Sequence, residues 1–168
     1  GYKNPRPVKR EDIAQLLTSA HLGRRPSHRV RLDDGELRKG LEGPHAALPV
    51  ALKGAPLRSA KLAVVCVHGR FASAERILQM FENATRKFHG SGVVSLLAPQ
   101  AAESNWYPGS FLLPLAENQP NYGHTLALID RCVMHAAASV GGPENVLLFG
   151  FSQGACAAAS YAAAEGSP

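Results

Sequence analysis

The sequence of 168 residues lacks several features that would assign it to a class of protein at once. It has no apolar stretch near the ~20 residues that a membrane-spanning helix needs. Its three cysteines lie in apolar runs without the spacing of a disulfide framework or a zinc site. No histidine pattern of the H-E-x-x-H kind is present either. These absences predict a soluble, cytoplasmic protein with reduced, buried cysteines, no membrane span, no metal and no cofactor.

The charge of the chain is unevenly distributed. The net charge is +5, and residues 1–45 carry ten Lys/Arg against six Asp/Glu, which leaves eight against seven for the remainder. Acidic residues interrupt the basic ones and aromatic platforms are missing, so we expect no nucleic-acid binding. We interpret residues 1–42 as a basic N-terminal extension of unknown role, and residues 43–168 as a separate unit.

The most informative pattern is Gly150-Phe151-Ser152-Gln153-Gly154, which fits the G-x-S-x-G nucleophile elbow. An apolar run over 145–149 precedes it and an alanine-rich run over 155–164 follows it, as a strand and a helix would. In such an elbow a sharp strand-to-helix turn lifts the serine hydroxyl clear of the sheet. The pattern predicts that Ser152 is a nucleophile, with an ordinary strand-turn-helix as the alternative.

A second strand-loop-helix unit supports this interpretation. The apolar run at 61–67 ends in His68-Gly69-Arg70-Phe71 and leads into a helical pattern over 72–88. In hydrolases with this elbow, an amide from such a loop joins the amide after the nucleophile to bind the oxyanion. The backbone N–H groups of Arg70 and Gln153 are therefore the predicted oxyanion hole.

The order of apolar runs predicts the architecture. Strands are expected at 48–52, 62–67, 93–98 and 145–149, and helices at 73–88, at 122–139 and after Ser152. This alternation is typical of an α/β fold with a mainly parallel sheet flanked by helices. The long stretch from Gln100 to Gly123 is rich in aromatic residues, which favours a substrate-facing cap over disorder, with simple packing on the domain surface as the alternative.

Partners for the serine are scarce. Residues 155–168 hold one carboxylate, Glu165, and no histidine, although this fold places its acid and base after the nucleophile. We expect His68 to bond to neighbouring backbone, and we expect His45 and three further histidines, at positions 21, 28 and 89, on the surface or in loops. His124 and His135 flank a helix and could act as a base only by coincidence. The triad Asp and His are thus predicted beyond this chain, which would end after the nucleophile elbow.

From Gly43 onward the sequence resembles the phospholipase/carboxylesterase family of α/β-hydrolases, which includes acyl-protein thioesterases and related bacterial esterases. The resemblance rests on Gly43-Pro44-His45, Ala63–Arg70, Leu97–Gln100, Asn105–Pro108 with Ser110-Phe111, and Leu148–Ala155. It implies an α/β-hydrolase fold, with Ser152 as nucleophile and the Arg70 and Gln153 amides as oxyanion hole. It also implies a substrate pocket lined by Trp106, Tyr107 and Phe71, the last standing where relatives often have another glycine.

The function that the resemblance implies is hydrolysis of carboxylic esters or thioesters by acyl transfer to a serine. The expected substrates are small-molecule esters or thioesters, acylated proteins and lysophospholipids. The alternative is a catalytically inactive homologue that keeps the pocket and binds an acyl ligand or a partner protein.

Overall fold

A single sheet with helices on both faces organises the computed structural model, which describes residues 37–85 and 93–165. The strands described there are β1 (Val50–Gly54), β2 (Leu62–Val67), β3 (Val94–Pro99) and β4 (Val146–Gly150). The helices are α1 (Ala74–Ala84), α2 (Asn121–Val140) and α3 (Gln153–Glu165). Short 3-10 turns lie at Leu57–Ser59, Ala102–Ser104, Leu115–Asn118 and Pro143–Asn145.

The strand order is β1-β3-β2-β4. β2 pairs in parallel with β3 and with β4, whereas β1 runs antiparallel to β3. The prediction of a mainly parallel sheet flanked by helices is confirmed. In the register of β2 and β4, Val67 lies opposite Gly150, so the loops that follow these two strands leave the sheet side by side. The predicted oxyanion loop and the predicted elbow are therefore neighbours.

Strand β2 shows why the sheet has two cores. Ala63, Val65 and Val67 pack in one apolar cluster with residues of α2 and α3, while Val64 and Cys66 pack in a second cluster with residues of α1. Successive side chains of a strand point to opposite faces, so a strand covered on both sides must be apolar throughout. The continuous run at 62–67 meets this demand.

Local sequence fixes the ends of the helices. The Ser73 hydroxyl accepts a hydrogen bond from the Arg76 amide at 3.3 Å and caps the start of α1. Gly141 ends α2 at φ 90°, and the amides of Gly141 and Gly142 both donate to the Ala137 carbonyl. A left-handed residue at this position is unfavourable for any side chain except glycine or asparagine, which explains the stop.

The predicted elements are found with small shifts in their bounds. β1 begins at Val50, two residues later than predicted, because Pro49 has no N–H to give to the ladder. The end of the predicted 73–88 helix and residues 1–36 of the predicted extension lie outside the described residues. Leu37, which the sequence assigned to that extension, is 1% exposed and packs in the core.

The cysteines and the helices agree in part with the sequence-based expectations. Cys66 and Cys132 are buried free thiols, and burial raises the pKa of Cys66 to about 12. Cys156 is only partly buried, so the expectation of burial holds for two of the three. Among the described helices, none has the length and apolar character needed to cross a bilayer.

Candidate active site

Ser152 occupies a strained turn between β4 and α3. Its φ of 52° lies in the left-handed region that side chains other than glycine and asparagine rarely adopt. The chain reverses there so tightly that a Cβ on Gly150 would lie 2.6 Å from the Gly154 carbonyl oxygen. A Cβ on Gly154 would collide with the carbonyl oxygens of Val67 and His68. Both glycines of the pattern are thus required by space, and the turn leaves Ser152 exposed.

The loop after β2 runs beside the serine. A Cβ built on Gly69 would lie 3.3 Å from the Ser152 Cβ, a tight contact that a side chain could make only if its neighbours shifted slightly. The Phe71 amide donates to the Ser104 carbonyl at 2.8 Å. In contrast, the amides of Arg70 and Gln153 donate to no other group of the described residues. Two backbone donors without a partner among the described residues are therefore found at the site, one on the loop after β2 and one at the residue after Ser152. Gln153 also begins helix α3, whose N-terminus carries partial positive charge.

A cleft of about 380 Å³ opens next to Ser152. Its wall combines two arginines with apolar side chains: Arg70, Phe71, Arg76, Ile77, Met80 and Phe151. Phe71 is 85% exposed, with φ 61°, and lies at the rim. The only histidine of the lining is His68, and the lining has no carboxylate.

His68 cannot take the proton of Ser152. Its Nε2 atom accepts a hydrogen bond from the Ala101 amide at 3.1 Å, which places the ring proton on Nδ1, where it is donated to the Gly69 carbonyl at 2.8 Å. Both ring nitrogens are therefore used by backbone. Burial lowers the pKa of His68, with the Gly69 hydrogen bond opposing it. The prediction that His68 bonds to neighbouring backbone is confirmed.

His45 lies in a turn before β1, which agrees with a predicted loop position, but it is not on the surface. It is 1% exposed, its Nε2 donates to the Trp106 carbonyl at 3.0 Å, and its Nδ1 accepts from the Ala102 amide at 3.0 Å. The Trp106 carbonyl and the Ala102 amide belong to a loop outside the sheet, and the buried His45 ring supplies the hydrogen-bond partners that these backbone groups need. The motif Gly43-Pro44-His45 was the signal that could have found it. His21, His28 and His89 lie outside the described residues.

Trp106 and Tyr107, predicted to line the substrate pocket, lie in the core. They are 0% and 2% exposed, and neither borders the cleft at Ser152. The indole N–H of Trp106 donates to the His68 carbonyl at 2.6 Å, and this buried partner holds the ring beneath the loop. The part of the loop that faces solvent is different, with Phe111 67% and Leu112 80% exposed. A substrate-lining role for Trp106 and Tyr107 stays a prediction.

Acidification is expected to destabilise the fold through His45 and His68. Burial is the main cause that lowers the pKa of both imidazoles below the ordinary value of 6.5, so the unfolded chain takes up protons that the folded chain refuses. The free energy of unfolding is then at its full value above about pH 6.5 and decreases as the pH falls toward the folded-state pKa values. Urea unfolding at about pH 7.5 and about pH 5.5 measures this decrease.

The matched comparison uses two single variants. The decrease is expected to be smaller in His45→Asn, because asparagine can supply a donor and an acceptor without titrating. It should be unchanged in His135→Gln, which removes a histidine of α2 that is only partly buried. An equal decrease in His45→Asn and in the parent protein would contradict the assignment.

The fold has counterparts among solved structures. A phospholipase/carboxylesterase from Dyadobacter fermentans is 35% identical with a TM-score of 0.59, and the match covers 70% of this chain and 54% of that chain. TT1662 from Thermus thermophilus is 23% identical with a TM-score of 0.54, covering 86% of this chain and 54% of that chain. The second likeness concerns the fold alone. No protein-family model and no curated protein sequence matches the chain.

These likenesses define the class of protein first: the chain has the α/β-hydrolase fold. Within that class, the predicted resemblance to the phospholipase/carboxylesterase family is confirmed. The chain spans about half the length of the solved relatives, 54% in each case.

Proposed function

We propose that this protein is a serine hydrolase that cleaves carboxylic esters or thioesters by acyl transfer. The observation that carries the proposal is the strained, exposed Ser152 with the unpaired amides of Arg70 and Gln153 beside it. The family resemblance supports the same reaction. Turnover of p-nitrophenyl esters and of acyl thioesters by the purified protein is the first test.

In the proposed reaction the Ser152 hydroxyl oxygen attacks the acyl carbonyl carbon and gives its proton to a base. The carbonyl π electrons move to the oxygen, and the Arg70 and Gln153 amides bind the resulting oxyanion. Collapse of this intermediate releases an alcohol or a thiol, which takes up the proton, and leaves an acyl-serine. Water then attacks the acyl-serine by the same route and regenerates Ser152.

The reaction needs a base and an orienting acid that the cleft lining does not supply. His68 is engaged by backbone on both ring nitrogens, and the cleft lining offers no other histidine and no carboxylate. We propose that a His and an Asp beyond this chain complete the triad, in keeping with a chain that spans 54% of its solved relatives.

The same observation favours a second candidate function. Without a base near Ser152, a homologue of this fold would keep the cleft and bind an acyl ligand or a partner protein without turnover. The two functions differ in one measurement, because a hydrolase releases product continuously from a p-nitrophenyl ester, whereas a binding protein releases at most one equivalent. Sustained release that depends on Ser152 would exclude the binding protein.

Arg76 suggests the charge of the substrate. The Arg70 guanidinium donates hydrogen bonds to the carbonyl oxygens of Tyr107 and Gly109. In contrast, the Arg76 side chain forms no hydrogen bond or ion pair with the other described residues. An unpaired guanidinium in a cleft without carboxylates attracts anions. Substrates with a carboxylate or phosphate near the ester are therefore preferred in this proposal.

We expect Arg76→Ala to raise KM for an anionic ester such as p-nitrophenyl hemisuccinate by about 2- to 5-fold, the size of an exposed charge pair. The KM for neutral p-nitrophenyl butyrate should stay unchanged, and Arg76→Lys should retain most of the preference. An equal change for both esters would show that Arg76 contributes no charge selection.

A further inference from the structure

The side chains of Arg70 and Gln153, the two residues whose amides form the proposed oxyanion hole, meet on one loop. This loop, Asn105–Gly109, is called the brace loop below. The Arg70 Nη2 atom lies 3.1, 3.4 and 2.5 Å from the carbonyl oxygens of Tyr107, Pro108 and Gly109. The Gln153 Nε2 atom lies 2.8 Å from the same Tyr107 oxygen, so this carbonyl accepts from both residues.

Gln153 holds the brace loop on further atoms. Its Oε1 atom accepts from the Trp106 amide at 3.0 Å, and its Nε2 donates to the Asn105 Oδ1 atom at 2.9 Å. Gln153 is 7% exposed, so these bonds are largely protected from water. Hydrogen bonds made away from water are stronger and fix geometry better than exposed ones.

The brace loop is itself anchored to the core. The Trp106 carbonyl accepts from His45 at 3.0 Å and from the Thr125 hydroxyl at 2.8 Å, and the Gly109 amide donates to Asn118 at 2.7 Å. A loop held in this way is a rigid body against which two other segments can be aligned. Arg70 and Gln153 lie on different segments, the loop after β2 and the start of α3, and no backbone hydrogen bond connects the two residues.

We infer that Arg70 and Gln153 act through their side chains as positioning residues, which lock both oxyanion amides onto the brace loop at the shared Tyr107 carbonyl. This inference rests on the proposed function. Preorganised donors stabilise the oxyanion because they need no reorientation during the reaction, and a displacement of about 1 Å can cost about 100-fold in rate. The backbone amides remain in the variants, so only their alignment is changed.

The test measures kcat and KM for Arg70→Ala, Gln153→Glu and the double variant. Gln153→Glu keeps the shape of the side chain but turns the two donor contacts into contacts between acceptors. We expect kcat to fall by about 10- to 100-fold in each single variant, with KM within about 2-fold, because alignment matters in the transition state. The affinity for a trifluoromethyl ketone, which forms a tetrahedral adduct, should fall in parallel with kcat/KM.

Two measurements distinguish the proposed joint positioning by Arg70 and Gln153 from two independent structural contacts. Losses in the double variant should be smaller than the product of the single losses, since the two side chains share the Tyr107 carbonyl and misalignment of one amide already weakens the binding of the same oxyanion by the other. Millimolar ethylguanidinium should restore little of kcat in Arg70→Ala, because a free guanidinium can bind the loop carbonyls but cannot tie the residue 70 amide to them; full rescue would contradict the positioning role. Arg58→Ala and Gln79→Ala, exposed residues away from the cleft lining, are the matched controls and should retain kcat.

The outcomes distinguish this inference from the proposed function. If Ser152→Ala hydrolyses esters normally, the proposed function fails. If Ser152→Ala is inactive while Arg70→Ala and Gln153→Glu retain wild-type kcat, or if their losses multiply, the brace is refuted. Arg70→Lys, which keeps the stem and the charge but loses the planar fork, replaces the alanine variant if that variant does not fold.

Discussion

Replacing Ser152 with alanine is expected to lower ester hydrolysis by about 10⁴-fold or more, to the small residual rate that binding and an oxyanion hole still support. The change removes only the hydroxyl group, and alanine adopts a φ of 52° about as readily as serine does. The thermal unfolding midpoint should therefore be unchanged. Initial rates with a p-nitrophenyl ester, together with a melting curve on the same sample, measure both effects.

Covalent labelling checks the same assignment independently. A fluorophosphonate probe should modify Ser152 and leave Ser110 and Ser160 unmodified, as determined by mass spectrometry of the adduct. Ser160 lies inside helix α3, and the Ser110 hydroxyl accepts from the Leu112 amide at 3.1 Å, so neither sits on an elbow. Ser110→Ala is the matched control and should keep its activity. Labelling of Ser110 or Ser160 without Ser152 would refute the nucleophile.

Features that depend on a few neighbouring residues could be predicted from the sequence. The run at 62–67 is apolar at every position, and a strand covered on both faces needs this pattern. The glycines at 150 and 154 indicated a turn in which side chains would collide, and the structure places backbone oxygens where their Cβ atoms would lie. Parallel pairing of β2 with β4 followed from the alternation of strands and helices. Local signals of this kind need no knowledge of distant contacts.

Features that depend on distant parts of the chain could not be predicted in the same way. His45 is buried because it bonds to the backbone of residues 102 and 106, about sixty positions away. The aromatic content of the long loop predicted a cap that faces the substrate, but an aromatic residue in a loop can also face the core. Trp106 faces the core because the His68 carbonyl offers a partner for its N–H there. The side-chain contacts of Arg70 and Gln153 with the brace loop could not be predicted for the same reason, because the motifs indicate only the role of their backbone amides.

Replacing Trp106 with alanine is expected to cost about 3 to 5 kcal/mol in the free energy of unfolding, the usual range for truncating a buried large aromatic residue. The ring is 0% exposed and contacts the rings of His68 and His45 at centroid distances of 4.8 and 5.5 Å. Its removal also leaves the buried His68 carbonyl without the indole donor. Trp106→Phe restores most of the volume without the donor and should lose about 1 to 3 kcal/mol. Urea denaturation measures both.

The same variant decides whether Trp106 selects substrates. As a core residue it should change turnover of acetyl and octanoyl esters by the same factor, once rates are corrected for the folded fraction, because its ring does not border the cleft. Phe111→Ala is the matched control, an aromatic residue near the same loop that is 67% exposed, and should alter stability by less than about 0.5 kcal/mol. A selective loss for octanoyl esters with unchanged stability would instead place Trp106 in the acyl pocket, as the family resemblance implies.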